Sequence, residues 1–322
     1  MNMKTICHAG TQARGPWAAE MAACLLLMAA VCPAADWPTF LGGPARGAHM
    51  AKEKLPAKIN LLWVRELPGA LEASPVIGGG IVYQGSCDGN LYALNATDGF
   101  LKWKFKAGGV LISTPALDAK AGLAIFGCNN NQVYAVRTRD GTLAWRHTTA
   151  PPSPHVILHG NQVKASPALV GGRALLGNYS GQWLSLPITG GKPHWTAKGR
   201  LTFASPATDG QRVVMADLAG ITCLKLADGK VLWQRKQLGA FLASPAIRDE
   251  TVYVASAGDL AGQSRRFTIG ILPNTLRMAP GPPVPVLAMN LETGHTNWLA
   301  KVPDSVIASP AVTDKLVIVG DT

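Results

Sequence analysis

Few residues of this chain could do covalent or metal chemistry, and their spacing argues against it. Beyond an N-terminal leader only Cys87, Cys128 and Cys223 remain. An odd number leaves at least one thiol unpaired in an oxidising compartment unless it bonds another molecule. Cys87 and Cys128 stand at nearly matching positions in successive repeats, so a disulfide between them is one open alternative, while Cys223 takes the slot of a small buried residue. No cysteine pair has metal-ligand spacing. His155 and His159 are four apart, but Pro151, Pro152 and Pro154 precede them and oppose the helix such a site needs, so they read as loop histidines. Asp98, Asp140, Asp228 and Glu292 fall in predicted hairpin turns, where short polar side chains serve the backbone. No nucleophile elbow, phosphate-binding loop or zinc signature occurs. The sequence predicts no catalytic, cofactor-binding or metal-ligating residue.

What recurs instead is a glycine four residues before a tryptophan. The pairs are Gly99/Trp103, Gly141/Trp145, Gly191/Trp195, Gly229/Trp233 and Gly294/Trp298. A second marker keeps step: Ser74-Pro75, Thr114-Pro115, Ser166-Pro167, Ser205-Pro206, Ser244-Pro245 and Ser309-Pro310. Successive prolines are 40, 52, 39, 39 and 65 residues apart, a period near 40 with two insertions. Within one period, residues 73 to 77 and 81 to 85 are β-prone runs either side of Gly78-Gly79-Gly80. Leu91 to Leu94 is a third strand, and Asp98-Gly99 turns the chain into a fourth, Leu101 to Phe105. Four antiparallel strands per 40 residues make one propeller blade. The tryptophan lies on the outermost strand, where burying its ring between blades would supply apolar area that joins them.

The run from Ala93 to Trp103 resembles the tryptophan-docking motif of the quinoprotein-type propellers, named for dehydrogenases that carry pyrroloquinoline quinone. The likeness covers roughly residues 63 to 322. It implies an all-β, quinoprotein-like β-propeller of four-stranded antiparallel blades, with five complete blades and a partial sixth. The same repeat builds the non-catalytic propeller of the outer-membrane barrel-assembly machinery. In the dehydrogenases the resemblance also implies a pair of adjacent cysteines against the quinone, and this chain has none. Quinone chemistry needs a stacking platform, a held cation and a base around the cofactor, so no pyrroloquinoline quinone is expected. Upstream, Asp36-Trp37-Pro38-Thr39-Phe40-Leu41-Gly42 is similar to the lead-in of exported members of this group. Blade three departs from the repeat, with Ser185 and Pro187 in the small and polar slots.

Lys4 and Arg14, the apolar run from Met21 to Val31 and Pro33-Ala34-Ala35 read in order as a secretory signal peptide, cut near Ala35. The expected layout is 1–35 signal peptide, 36–58 lead-in and 59–322 propeller repeats, in a protein that is periplasmic or extracellular after cleavage and has no membrane span. The formal charge is +11. Its basic residues are spread singly, without the contiguous stripe that nucleic acid requires. One insertion lies between Trp145 and Ser166, the other from about Gly258 to Pro285. The second carries Arg265, Arg266, Phe267 and Leu272 before a proline-rich end, and forms the candidate interaction loop. Ile59 to Arg65 reads as an outermost strand without its blade. Leu316 to Gly320 reads as the second strand of a sixth. Either the two ends share an incomplete sixth blade, or, as the reading favours, the chain is a fragment of a seven- or eight-bladed ring whose further C-terminal blades are partners of those seen. The expected function is an exported, non-catalytic scaffold for a protein or cell-envelope ligand. A fragment of a quinone-dependent oxidoreductase and a carbohydrate-binding module are the alternatives.

Overall fold

The computed structural model describes residues 36–47, 58–149, 162–236, 240–258, 284–302 and 306–320. Short β-prone runs closed by tight turns give hairpins joined in fours. In blade one, β1 (Val76–Gly78) and β2 (Ile81–Gly85) flank Gly79 and Gly80. Those glycines have φ of +58° and +73°, the paired positive angles whose twist suits a two-residue hairpin. β3 (Asn90–Asn95) and β4 (Leu101–Lys106) complete the sheet. Blade two repeats it with β5 (Ala116–Asp118), β6 (Leu123–Gly127), β7 (Gln132–Arg137) and β8 (Leu143–Thr148). Blade three has β9 (Ala168–Val170), β10 (Arg173–Gly177), β11 (Gln182–Pro187) and β12 (Trp195–Lys198). Blade four has β13 (Ala207–Thr208), β14 (Arg212–Asp217), β15 (Gly220–Lys225) and β16 (Val231–Lys236). Blade five has β17 (Ala246–Arg248), β18 (Thr251–Ala255), β19 (Val284–Asn290) and β20 (Thr296–Val302). Among the described residues a sixth sheet holds β21 (Ala311–Val312) and β22 (Val317–Ile318).

Each sheet is ordered as its strands occur in the chain, and the pairs are antiparallel. The inner strands β1, β5, β9, β13, β17 and β21 are successive neighbours, which makes the sheets blades of a β-propeller. Alternation sets burial: on β4 Lys102, Lys104 and Lys106 are exposed while Trp103 and Phe105 turn inward. The cores lie in the seams between blades. One packs Val76, Tyr83 and Leu91 of blade one against Phe126, Tyr134 and Val136 of blade two. Similar clusters fill the next three seams. Each fully buried side chain of this kind stabilises the fold by about 1.5–3 kcal/mol, so the energy of the fold resides where blades meet.

The lead-in is part of this body. The amide and carbonyl of Trp37 pair with Ile77 on β1 at 2.9 and 3.0 Å. Carbonyls of Pro38, Pro44, Ala45 and Gly47 accept the amides of Leu117, Thr208, Ile247 and Val312 at 2.7 to 2.9 Å. All five donors stand three residues after the Ser or Thr of the proline marker, on the inner edge of their sheets. Without these acceptors the edges would present unpaired donors. A short 3-10 turn, Phe40–Gly42, lies within the segment.

Two strand expectations change. Residues 58–66 form no strand, because no described residue pairs with their backbone, and Ile59, Leu61, Leu62 and Val64 are 76 to 81% exposed. The second strand of the sixth sheet is Val317–Ile318, shorter than the Leu316–Gly320 run.

Candidate functional site

The repeated tryptophans reach across the seams. An ideal Cβ placed on Gly99 would lie 2.6 Å from Trp63, on Gly141 2.5 Å from Trp103, on Gly229 2.7 Å from Trp195, and on Gly294 2.6 Å from Trp233. Each ring therefore lies on the glycine of the following blade, not on the glycine of its own motif. Only glycine can occupy these positions, since φ is between +70° and +73° and a side chain would enter the indole. The indole nitrogens complete the contact. Nε1 of Trp63, Trp103, Trp145, Trp195 and Trp233 donates to the carbonyls of Ala96, Thr138, Ile188, Leu226 and Leu291 at 2.7 to 2.9 Å. Within its own sheet each motif tryptophan stands opposite a small residue: Ala93, Ala135, Ser185, Cys223 and Ala288.

Two of the sequence-predicted positions need correction, and one docked tryptophan lies outside the predicted pairs. The glycine beneath Trp145 is Gly190, whose added Cβ would lie 2.8 Å from the ring, while nothing lies within 4 Å of one on Gly191. The turn chemistry explains the one-residue shift. In the other four blades the motif glycine amide bonds the carbonyl four residues back, as Gly99 does to Asn95. Blade three closes one residue sooner, with the Gly190 amide on the Pro187 carbonyl at 3.0 Å. Trp298 has no described glycine beneath it and is 42% exposed. Trp63 was outside the repeated pairs because Ile59 stands where the glycine would be; its phase, twelve residues before Pro75, is the signal that finds it.

The Ser/Thr-Pro marker forms a second set of links at the inner ends. The amides of Ser74, Thr114, Ser166, Ser205 and Ser244 donate to the hydroxyls of Thr114, Ser166, Ser205, Ser244 and Ser309 at 2.8 to 3.0 Å. Proline follows each without cost, having no N–H to leave unpaired. Arg46 of the lead-in is fully buried against this set. Its Nε donates to the Pro206 carbonyl, Nη1 to Phe40, and Nη2 to Ser166 and Pro167, at 2.6 to 3.0 Å. Desolvation lowers its pKa to about 9, which leaves it charged at neutral pH. Sequence reasoning saw the period of the serines but not their bonds, and nothing in the pattern marked Arg46.

The reactive side chains are held in structural settings. Asp98, Asp140 and Asp228 accept the amides of Phe100, Thr142 and Lys230 at 2.9 to 3.1 Å, closing their hairpins. In blade five Thr293, not Glu292, takes that place, on the His295 amide. Bonds from the Thr142 hydroxyl and amide, with Arg139, bring Asp140 down to about 2. Cys87, Cys128 and Cys223 are free thiols. Cys87 Sγ faces Glu72 at 3.8 Å and Cys128 Sγ faces Gly109, so the disulfide left open by the sequence is not formed. Burial raises all three thiols, Cys223 to about 12, which disfavours the nucleophilic thiolate. Among the described residues no three His, Cys, Asp or Glu group as metal ligands, and no helix is long and apolar enough to cross a membrane. The signal segment, His155, His159 and the interaction-loop residues Arg265, Arg266, Phe267 and Leu272 lie outside the described residues.

The family described as outer membrane protein assembly factor BamB matches residues 58–234 and 199–269. The assembly factor BamB of Moranella endobia is 25% identical over 207 residues, 62% of this chain and 53% of that protein. The serine/threonine-protein kinase AfsK of Streptomyces griseus is 35% identical over 131 residues, 38% of this chain and 15% of the kinase. The crystal structure of BamB from Moraxella catarrhalis superposes with a TM-score of 0.61 at 17% identity, covering 81% of this chain and 70% of that one. The matches span about half the length of the assembly factors concerned.

Proposed function

The chain belongs to the outer membrane protein assembly factor BamB family of β-propellers, and from that premise we propose that it is an exported, non-catalytic scaffold that binds protein partners during outer-membrane protein assembly. The observation that carries the reading is the use to which the repeat's polar groups are put. Indole nitrogens, marker hydroxyls and three turn carboxylates bond neighbouring backbone within or between blades. A rigid body of this kind presents its outer strands and loops to partners. A leader cut near Ala35, as the sequence reads, would export the mature protein, which supports this reading. The interaction loop around Arg265 to Leu272 is the segment assigned to partner contact.

Affinity purification of the tagged full-length protein from gently solubilised envelopes tests the proposal. Recovery of outer-membrane assembly proteins, lost when residues 259 to 283 are replaced by a short glycine-serine linker, is expected. An eluate without them, or one unchanged by the replacement, contradicts it.

A further inference from the structure

The seam between blades two and three differs from the other seams in ways that meet at one place. Gly190 lies nearest Cγ, Cδ1 and Cβ of Trp145, beside its five-membered ring. Gly99, Gly141, Gly229 and Gly294 lie instead nearest Cδ2 and Cε3, on the fused edge and six-membered ring of their tryptophans. The early turn of blade three has thus moved its glycine off the larger ring of Trp145. In blade two, the position held by Asn95 in blade one and Asn290 in blade five is Arg137, and Arg139 stands where blade one has Thr97. Asn95 and Asn290 accept amides of their own turns. An arginine cannot accept them, and blades three and four carry Pro187 and Lys225 at the same position; Arg137 donates across its own hairpin instead.

These departures border a surface groove of about 540 Å³ lined by Trp145, Arg137, Arg139 and Thr189. Arg137 is exposed, and its Nη1 donates to the Leu143 carbonyl at 3.0 Å and the Thr142 hydroxyl at 3.4 Å. Those bonds steady the guanidinium while its other donors stay open, and no carboxylate pairs with it among the described residues. Arg139 is paired with Asp140 at 2.8 Å. The groove therefore carries one uncompensated positive charge beside the Trp145 side chain.

We propose that this groove binds an acidic saccharide, with the C–H face of a pyranose on the six-membered ring of Trp145 and its carboxylate on the fork of Arg137. A planar fork suits a carboxylate in two-point contact, and a concave site with few placed polar groups suits a small ligand. The site is independent of the assembly role and can stand if that role fails.

Isothermal titration of the purified mature chain with trigalacturonate reads it, beside maltotriose as the neutral control and inorganic phosphate as the anion control. Trigalacturonate binds and the two controls do not. Arg137→Asn, which installs the residue of blade one and keeps the hairpin, weakens binding about tenfold or more, the effect of losing a charged hydrogen bond. Arg137→Gln serves the same purpose if the asparagine variant fails to fold. No heat up to about 10 mM, equal binding of maltotriose, equal binding of phosphate alone, or full affinity in the folded Arg137 variant would each overturn the proposal.

Discussion

Alanine at Gly141 and at Gly172 separates ring docking from backbone strain. The two glycines have nearly the same φ, +72° and +75°. Alanine in this left-handed region costs roughly 1–2 kcal/mol at either site. Their surroundings differ: a Cβ on Gly141 would lie 2.5 Å from Cε3 and 2.7 Å from Cδ2 of Trp103, and one on Gly172 meets nothing within 4 Å. Gly141→Ala must therefore push the indole away and lengthen its 2.9 Å bond to the Thr138 carbonyl. Overpacking of this sort adds about 1–3 kcal/mol. At about 2–4 °C per kcal/mol for a large domain, the two variants should differ by roughly 2–12 °C in Tm. Differential scanning calorimetry at matched pH measures the difference. Equal Tm values for the two variants would show that the ring does not rest on Gly141 and refute the reasoning.

Further outcomes follow from the same contacts. Trp103→Ala should destabilise by about 3–5 kcal/mol and Trp298→Ala by less than about 1 kcal/mol, measured by urea unfolding, because Trp103 lies on Gly141 whereas no described glycine lies beneath Trp298. Arg46→Met should cost on the order of 3 kcal/mol, since it leaves four carbonyls without their donor. Hydrogen exchange at the amides of Thr208 and Ile247 should quicken with it, and unchanged protection there would show that the lead-in is not anchored by Arg46. Asp140 titrates at about 2, below its ordinary 3.8. Its contribution to stability is thus complete above 3.8 and lost as pH falls toward 2. Asp140→Asn should flatten the fall in Tm over that window, and a slope identical to the parent would remove the turn carboxylate from the account.

The fold was legible because each blade repeats the same solution. Glycine turns, a tryptophan in fixed phase and a Ser/Thr-Pro marker point to four strands per 40 residues, and the sheets are where those signals put them. Contacts between repeats were less legible. Which glycine a ring meets depends on the neighbouring blade, so the pairing of Trp103 with Gly141 could not be read from the pair Gly99/Trp103. Gly190 in place of Gly191 depends on a turn that closes one residue early, and two adjacent glycines do not reveal which one faces the ring. The lead-in was visible only as a short likeness. Its role rests on backbone carbonyls, which carry no side-chain signature, and on one arginine whose four acceptors are 6 to 160 residues away in sequence. The candidate groove was hidden for a related reason: Arg137 reads as an ordinary surface charge until the fold sets it beside Trp145 with no carboxylate paired to it among the described residues.

The assembly role is tested most directly in cells that lack the gene. Folded outer-membrane β-barrels resist unfolding in unheated detergent samples and migrate differently from heated ones, so the folded fraction can be read on a gel. The account predicts a reduced folded fraction in the deletion strain, restored by the full-length gene and not by a copy lacking residues 259 to 283. A deletion strain with the parental folded fraction would contradict it.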